Sequence, residues 1–342
     1  MRQISTSVSE EILALLKNNP KIVITSHHNP DGDAIGSSLG LFHILKELGL
    51  NTSIVIPNEI PSFLNWMPGA KEITRFSKQK EAAQKIIGEA NIIFALDFNG
   101  PGRLEGMKTD FINSKAIKIL IDHHPQPEDI FQWQLSEVGA SSTAELVYQF
   151  ATILNAEDKV NLEAALSIFT GIMTDTGSFS YACSNPRTFE IVAKLISKGV
   201  KVEEVQQQVY NNFSEDRMRL VGHALATKMK VFPEYRSAFI SLTRSELNQF
   251  KYKIGDTEGL VNYPLSIKNI VFSALLIENT DYVKVSLRST GNFPANQICE
   301  KYFNGGGHIN AAGGKSYATL SQTEDKFVEI IQKLQNELKN AR

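Results

Sequence analysis

Ser26-His27-His28-Asn29-Pro30-Asp31-Gly32-Asp33-Ala34-Ile35-Gly36-Ser37 follows directly on the apolar run Ile22-Val23-Ile24-Thr25 and leads into the helix-like stretch Leu39 to Leu48. An apolar strand that ends in imidazole and acid and turns into a helix marks the carboxyl edge of an open α/β sheet, where such sheets bind ligands. His27, Asp31 and Asp33 are nitrogen and oxygen donors suited to Mn²⁺, Fe²⁺ or Zn²⁺. Pro30 stiffens the loop, and Gly32 lets the backbone turn so that the flanking carboxylates face different ions. Taken alone, the stretch also reads as a polar loop with Asp33 capping a helix from Ala34.

Outward from it, β-type and helical runs alternate. Strands are expected at Ile22–Ser26, Thr52–Ile56, Ile92–Asp97 and Ala116–Asp122. Helices are expected at Ser9–Asn19, Ala34–Leu48, Gln79–Glu89, Ser141–Leu154 and Asn161–Met173. Such alternation implies βαβ units and a mainly parallel sheet. The apolar runs do not alternate with polar residues, as expected where helices cover both faces. From Arg187 to Leu225 the chain reads as a polar helical connector. A second α/β region follows, with strands Ser237–Leu242, Val271–Glu278 and Tyr282–Arg288 and helix Arg244–Phe250. A glycine-rich turn at Asn304–His308 and a closing helix Gln322–Leu338 complete it. Asn279-Thr280-Asp281 between two apolar runs signals a hairpin. The expected layout is an α/β metal-binding domain at 1–186, a connector at 187–228 and a smaller α/β domain at 229–342.

Three further segments end apolar or helical runs in acid or imidazole. Asp97 closes Ile92-Ile93-Phe94-Ala95-Leu96, Asp122-His123-His124 closes Ile117–Ile121, and Asp175 lies where a helical segment breaks. Singly, these also read as a turn aspartate, a polar strand end and a helix break. Arg103, in the loop after Asp97, is as well a solvated cation as a phosphate partner. His123 and His124 point in different directions, so one can bind metal while the other faces substrate, and Asp122 can orient an imidazole. Together the strand ends converge on one sheet edge. Asp31, Asp33, Asp97 and Asp175 bring four negative charges beside neutral His27 and His123. One divalent cation leaves two of those charges uncompensated in a partly buried site. Two cations balance them and suit in-line attack at phosphorus.

The combination HxxPDxDxxGS, Asp97, Asp122-His123-His124 and Thr174-Asp175-Thr176-Gly177 resembles the DHH phosphoesterases. Gly305-Gly306-Gly307-His308 with Ala311-Ala312-Gly313 resembles the DHHA1 domain that accompanies one branch of that family. Asn304 stands where the family often has glycine, a departure that a left-handed turn accepts. The resemblance implies that His27 and Asp31 bind one ion, Asp33, His123 and Asp175 the other, and that Asp97 bridges. It implies that His124 contacts the phosphate or protonates the leaving oxygen, while water or hydroxide between the metals attacks. In the second domain it implies that Arg288 grips a terminal phosphate, with Ser289 and Asn296 assisting. Gly305, Gly306 and Gly307 would offer an anion nest, and His308 would touch phosphate or base. Without the resemblance, the glycines read as a helix-capping turn and Arg288 as an exposed strand-end cation. Two divalent ions are expected, with Mn²⁺ suiting the ligands best and Mg²⁺, Co²⁺ or Fe²⁺ as alternatives.

Composition bounds the partners. A formal net charge of −2 provides no basic field to gather long nucleic acid, so a nucleic-acid substrate is expected to be short or held locally. Cys183 and Cys299 lie far apart and read as reduced core thiols. No run approaches ~18 unbroken apolar residues and no secretory signal is visible, so a soluble, cytoplasmic protein without a membrane partner is expected. The DHH–connector–DHHA1 layout resembles the nano-RNases that also dephosphorylate 3′-phosphoadenosine 5′-phosphate (pAp). The expected activity is therefore exonucleolytic hydrolysis of short RNA or DNA oligonucleotides and conversion of pAp to AMP. Hydrolysis of linear dinucleotides such as pApA is the alternative within the class, and exopolyphosphatase activity is a further one. A catalytically silent nucleotide or RNA sensor is the alternative outside it. A homodimer through the connector is left open.

Overall fold

In a computed structural model describing residues 2–5 and 9–341, the chain forms two compact units, Met1–Asn212 and Phe213–Arg342. The stretch 187–228 is divided between them. Met1, Thr6–Val8 and Arg342 lie outside the described residues.

The first unit is built on β1 (Arg2–Gln3), β2 (Ile22–Thr25), β3 (Thr52–Ile56), β4 (Thr74–Arg75), β5 (Ile92–Leu96), β6 (Ile117–Asp122) and β7 (Trp133–Ser136). Its helices are α1 (Ser9–Lys17), α2 (Gly32–Glu47), α3 (Lys80–Gly88), α4 (Lys108–Asn113), α5 (Thr143–Ile153), α6 (Leu162–Asp175), α7 (Pro186–Ser197) and α8 (Val202–Tyr210). The strands form one all-parallel sheet in the order β1-β7-β6-β5-β2-β3-β4. From β2 the chain proceeds to one side, through β3 and β4; from β5 it proceeds to the other, through β6 and β7. The order therefore reverses between β2 and β5, which is where an open parallel sheet leaves a crevice at its carboxyl edge.

Each central strand is buried on both faces, which explains its unbroken apolar runs. Ile22, Ile24, Phe94, Leu96, Ile119 and Ile121 enter one core with α2, α5 and α6. Val23, Ile93, Ala95 and Leu120 enter a second core with α3 and α4. The two-residue strands β1 and β4 and the short β7 were invisible to periodicity because each is too brief to show it.

The second unit holds α9 (Glu215–His223), β8 (Met229–Phe232), β9 (Ser237–Leu242), α10 (Arg244–Gln249), β10 (Phe272–Glu278) and β11 (Val283–Ser289). It continues with α11 (Ala295–Phe303), β12 (Gly306–His308), β13 (Ala311–Ser316), α12 (Leu320–Lys333) and α13 (Gln335–Asn340). Its sheet runs β12-β13-β11-β10-β9-β8, with only β9 and β10 parallel. The expected hairpin joins β10 to β11, closed by the Asn279 N–H donating to Tyr282 O at 2.9 Å. The glycine-rich stretch expected as a turn is instead largely strand: Gly306, Gly307 and His308 pair with Gly313, Ala312 and Ala311. The closing helix breaks into α12 and α13 at Leu334. Cys299 is buried as expected, whereas Cys183 is only half-buried, because it sits in the loop between α6 and α7 rather than in a core element. Among the described residues, no helix is long and apolar enough to cross a membrane.

Candidate metal centre

The loops after β2, β5 and β6 and the end of α6 bring the expected residues of the first unit together. Asp31, not Asp33, is the N-cap of α2: its Oδ1 accepts from the Asp33 and Ala34 N–H groups, each at 3.0 Å. This capping leaves Oδ2 directed toward His27 Nε2 at 3.8 Å. The His27 ring is oriented from its other side, where Nδ1 lies 3.0 Å from His28 O and so donates to it. Nε2 is buried without a hydrogen-bond partner and faces Asp97 Oδ2 at 3.4 Å. The first cluster is thus His27, Asp31 and Asp97.

Asp33 lies in the first turn of α2, and its carboxylate sits on the N-terminus of α5. Oδ2 accepts from Thr143 N–H at 2.7 Å and Oδ1 from Ala144 N–H at 2.9 Å. Helix N-terminal amides favour such an anion. With His123 and Asp175 it forms a second cluster, in which His123 Nε2 lies 3.9 Å from Asp33 Oδ2 and 3.5 Å from Asp175 Oδ2. Asp97 stands between the clusters. Its Oδ1 faces His123 Nε2 at 3.6 Å and accepts from Thr143 Oγ1 at 3.0 Å, while Oδ2 faces His27. Asp97 has φ 65, a left-handed conformation that aspartate tolerates better than most residues.

The His123 and His124 rings lie nearly perpendicular, at 81°. Asp122, fully buried, accepts from His124 Nδ1 at 2.8 Å. Arg103 is exposed; its carbonyl accepts from His28 N–H at 2.8 Å, tying the two ligand loops together.

Close approach of α2 and α6 makes the second cluster possible. A Cβ on Gly36 would stand 2.6 Å from Ser167 O, and one on Gly32 would overlap the Thr174 side chain. A Cβ on Gly171 would stand 3.0 Å from Asp33 Oδ1. The spacing Gly32, Gly36, Gly40 on one helical face was a readable sign of this contact. Thr143, Glu145 and Arg187 also escaped sequence reasoning; Ser142 with Glu145 three positions on was their only signal, as a capping pattern.

The charges conflict in a way that cations resolve. Burial opposes ionisation of Asp97, yet the His27, His124 and His123 imidazoles hold its carboxyl well below the usual range. Burial, and then the charges of Asp97, Asp175 and Asp31, push Asp33 well up. Asp175 is pushed up to about 6 by burial, helped by Asp31 and Asp97 and opposed by His123 and His124. Burial disfavours protonating His27 and His123, but the facing carboxylates raise both. Protons are therefore held where anionic oxygens crowd. The orphaned lone pair of His27 and this carboxylate–imidazole donor set fit divalent cations.

In the second unit, Arg288 stands near the end of β11, half-buried, with Nη1 donating to Leu287 O at 3.0 Å. Ser289 Oγ donates to Phe293 O at 2.6 Å and accepts from Asn310 Nδ2 at 2.9 Å. Asn296 is in the first turn of α11, with Oδ1 buried and unbonded. Gly305 and Gly307 have a packing reason: a Cβ would meet Gly313 O in one case and Ala312 Cα in the other.

The DHH family, N-terminal domain, pattern matches residues 21–172, and the DHHA1 domain pattern matches 238–340. The bifunctional oligoribonuclease and PAP phosphatase of Thermus thermophilus is 30% identical, over 94% of this chain and 91% of its own. The chain belongs to the DHH family. A crystal structure of an exopolyphosphatase-related protein from Bacteroides fragilis superposes with a TM-score of 0.93 and 43% identity, covering 98% of this chain and 99% of that one. The cyclic-di-AMP phosphodiesterase GdpP of Bacillus subtilis is 26% identical over 95% of this chain, which spans 49% of that protein. Its DHH-family homologues are phosphoesterase hydrolases, and the two ligand clusters of this chain lie within the part matched by the DHH pattern except for Asp175, three residues beyond it.

Proposed function

We propose that this chain hydrolyses short oligonucleotides to mononucleotides and pAp to AMP, using two divalent cations, most suitably Mn²⁺. The observation that carries this reading is Asp97, which offers one carboxylate oxygen to each of two ligand clusters. His27 and Asp31 would hold one cation, Asp33, His123 and Asp175 the other, and Asp97 both. When bound, such a pair neutralises the phosphoryl oxygens and makes water nucleophilic near neutral pH. The protein's own groups do the rest. Thr143 and Ala144 N–H groups and the Asp31 cap hold the carboxylates in place, so that little reorganisation accompanies reaction. Asp122 keeps the proton on His124 Nδ1, leaving Nε2 to contact the phosphate or, as imidazolium, to donate a proton to the leaving oxygen.

Arg288 is proposed to bind the substrate's distal phosphate through its planar fork, with His308, Asn296 and the backbone of Gly305, Gly306 and Gly307 around it. Ser289 would hold the Arg288 strand end, since its hydroxyl already bonds Phe293 and Asn310. Arg103, exposed beside the ligand loops and close enough to lower the basicity of His27, is a second phosphate contact. The names of the relatives support oligoribonucleotide and pAp substrates, and the likeness to a cyclic-di-AMP phosphodiesterase favours pApA as the second reading.

The test offers pAp, pApA, an RNA length series and pyrophosphate side by side with Mn²⁺. Mononucleotide release that falls with RNA length, together with AMP from pAp, is expected. Hydrolysis of pApA alone would move the protein to linear-dinucleotide turnover. Equal rates on long and dinucleotide RNA would sink the preference for short chains.

A further inference from the structure

Thr143 is bonded to carboxylates of both ligand clusters: its N–H donates to Asp33 Oδ2 at 2.7 Å and its hydroxyl to Asp97 Oδ1 at 3.0 Å. It is fully buried at the first position of α5 and is itself seated by a network of charged groups. Glu145, with 0% exposure, accepts through Oε2 from Ser141 Oγ at 2.6 Å, Ser141 N–H at 3.2 Å and Thr188 Oγ1 at 2.7 Å. Its Oε1 accepts from Arg187 Nε at 2.7 Å. Arg187, in the first turn of α7, spends its other two nitrogens on both oxygens of Glu137, at 3.1 and 2.9 Å. Glu137 and Ser141 bracket the segment that leads into α5. The network therefore grips that segment from both ends and ties it to α7.

An isolated buried carboxylate is expensive, and Glu145 offsets that cost by accepting four hydrogen bonds, one of them from the Arg187 guanidinium. Such a network specifies one geometry rather than adding much stability, and the geometry specified is the entry to α5. We infer that Thr143 is a positioning residue that sets the separation of the two cation subsites, and that the Glu145–Arg187–Glu137 network holds it in register. This rests on the two-cation reading of the site. Removing the hydroxyl frees Asp97 to rotate away from the second cluster while the Thr143 N–H still holds Asp33. Outer partners of metal ligands typically govern affinity by about 10–100-fold.

The test titrates Mn²⁺ calorimetrically into the full chain and into Thr143→Val, Thr143→Ser and Glu145→Gln, with a thermal melt of each. The wild type is expected to take up two equivalents. Thr143→Val should bind the second equivalent about ten-fold or more weakly at an almost unchanged melting temperature, and Thr143→Ser should restore it. Glu145→Gln should weaken binding as well, through loss of the Arg187 pairing. Wild-type binding in Thr143→Val would overturn the positioning role and leave the two-cation reading standing. A wild type that takes up no Mn²⁺ would overturn both, and is told apart because the unmodified chain itself fails.

Discussion

Gly36 and Gly171 bring α2 and α6 into backbone contact: a Cβ on Gly36 would stand 2.7 Å from the Gly171 amide nitrogen. Asp33 lies on one of these helices and Asp175 ends the other, so the spacing of the helices is the spacing of two ligands. Gly36→Ala should therefore force the helices apart, costing roughly 1–3 kcal/mol despite the better helix propensity of alanine. It should also weaken Mn²⁺ binding. Gly222→Ala, in α9 with open space around its α carbon, should do the reverse and stabilise by about 0.5–1 kcal/mol. Paired thermal melts decide it, and equal signs for the two substitutions would refute the packing argument.

Asp97→Asn keeps a side chain tolerant of the left-handed backbone at φ 65 while removing the charge shared by both clusters. Turnover should fall by more than the 10–100-fold typical of outer partners, because both cations lose a ligand at once. Asp175→Asn should cost one cation only. Binding stoichiometry measured on each variant distinguishes the two, and two retained equivalents in Asp97→Asn would contradict the shared role.

The cation-free chain should lose stability as pH rises. Asp33, Asp175, His27 and His123 all bind protons more tightly folded than unfolded. Each contributes stability that is complete below its unfolded pKa and lost as pH climbs through its raised folded value, which for Asp175 is about 6. Between about pH 5 and 8 the melting temperature in chelator should therefore fall, while Mn²⁺ should abolish the decline by replacing those protons. Melts across pH with chelator or Mn²⁺ test this; parallel curves would rule it out.

Mn²⁺ affinity should carry the complementary dependence. Below about pH 6 a proton on Asp175 competes with the cation, so apparent affinity should drop by up to about ten-fold per pH unit for each proton displaced. Titrations at several pH values measure the slope directly.

Arg288→Ala should raise KM by roughly 10–100-fold with little change in kcat, the size of one or two charge-assisted hydrogen bonds to phosphate. Steady-state kinetics on pAp and a dinucleotide check it. A loss confined to kcat would instead place Arg288 in the chemical step.

Much was legible beforehand because it is local. Residue types at strand ends, apolar runs too continuous for a half-exposed sheet, and helical spacing all lie within a few neighbours, and they pointed to His27, Asp31, Asp33, Asp97, His123 and Asp175 at one edge. The glycine-rich stretch misled because a turn and a tightly packed strand demand the same missing side chain; only the pairing of Gly306 with Gly313 separates them. The cap shifted from Asp33 to Asp31 for a related reason, since either aspartate can satisfy the first amides until the second one is claimed elsewhere.

What the sequence determined by itself was the chemistry available: the donors, their charge, and a parallel sheet to carry them. What only the tertiary structure decided was the division of labour among individual oxygens. Asp33 is held by Thr143, 110 residues away, and Glu145 by Arg187, 42 residues away. Such bonds leave no periodic trace in the chain. They form only after burial of the apolar faces has brought distant segments together, because that burial, and not the polar bonds, supplies most of the driving force.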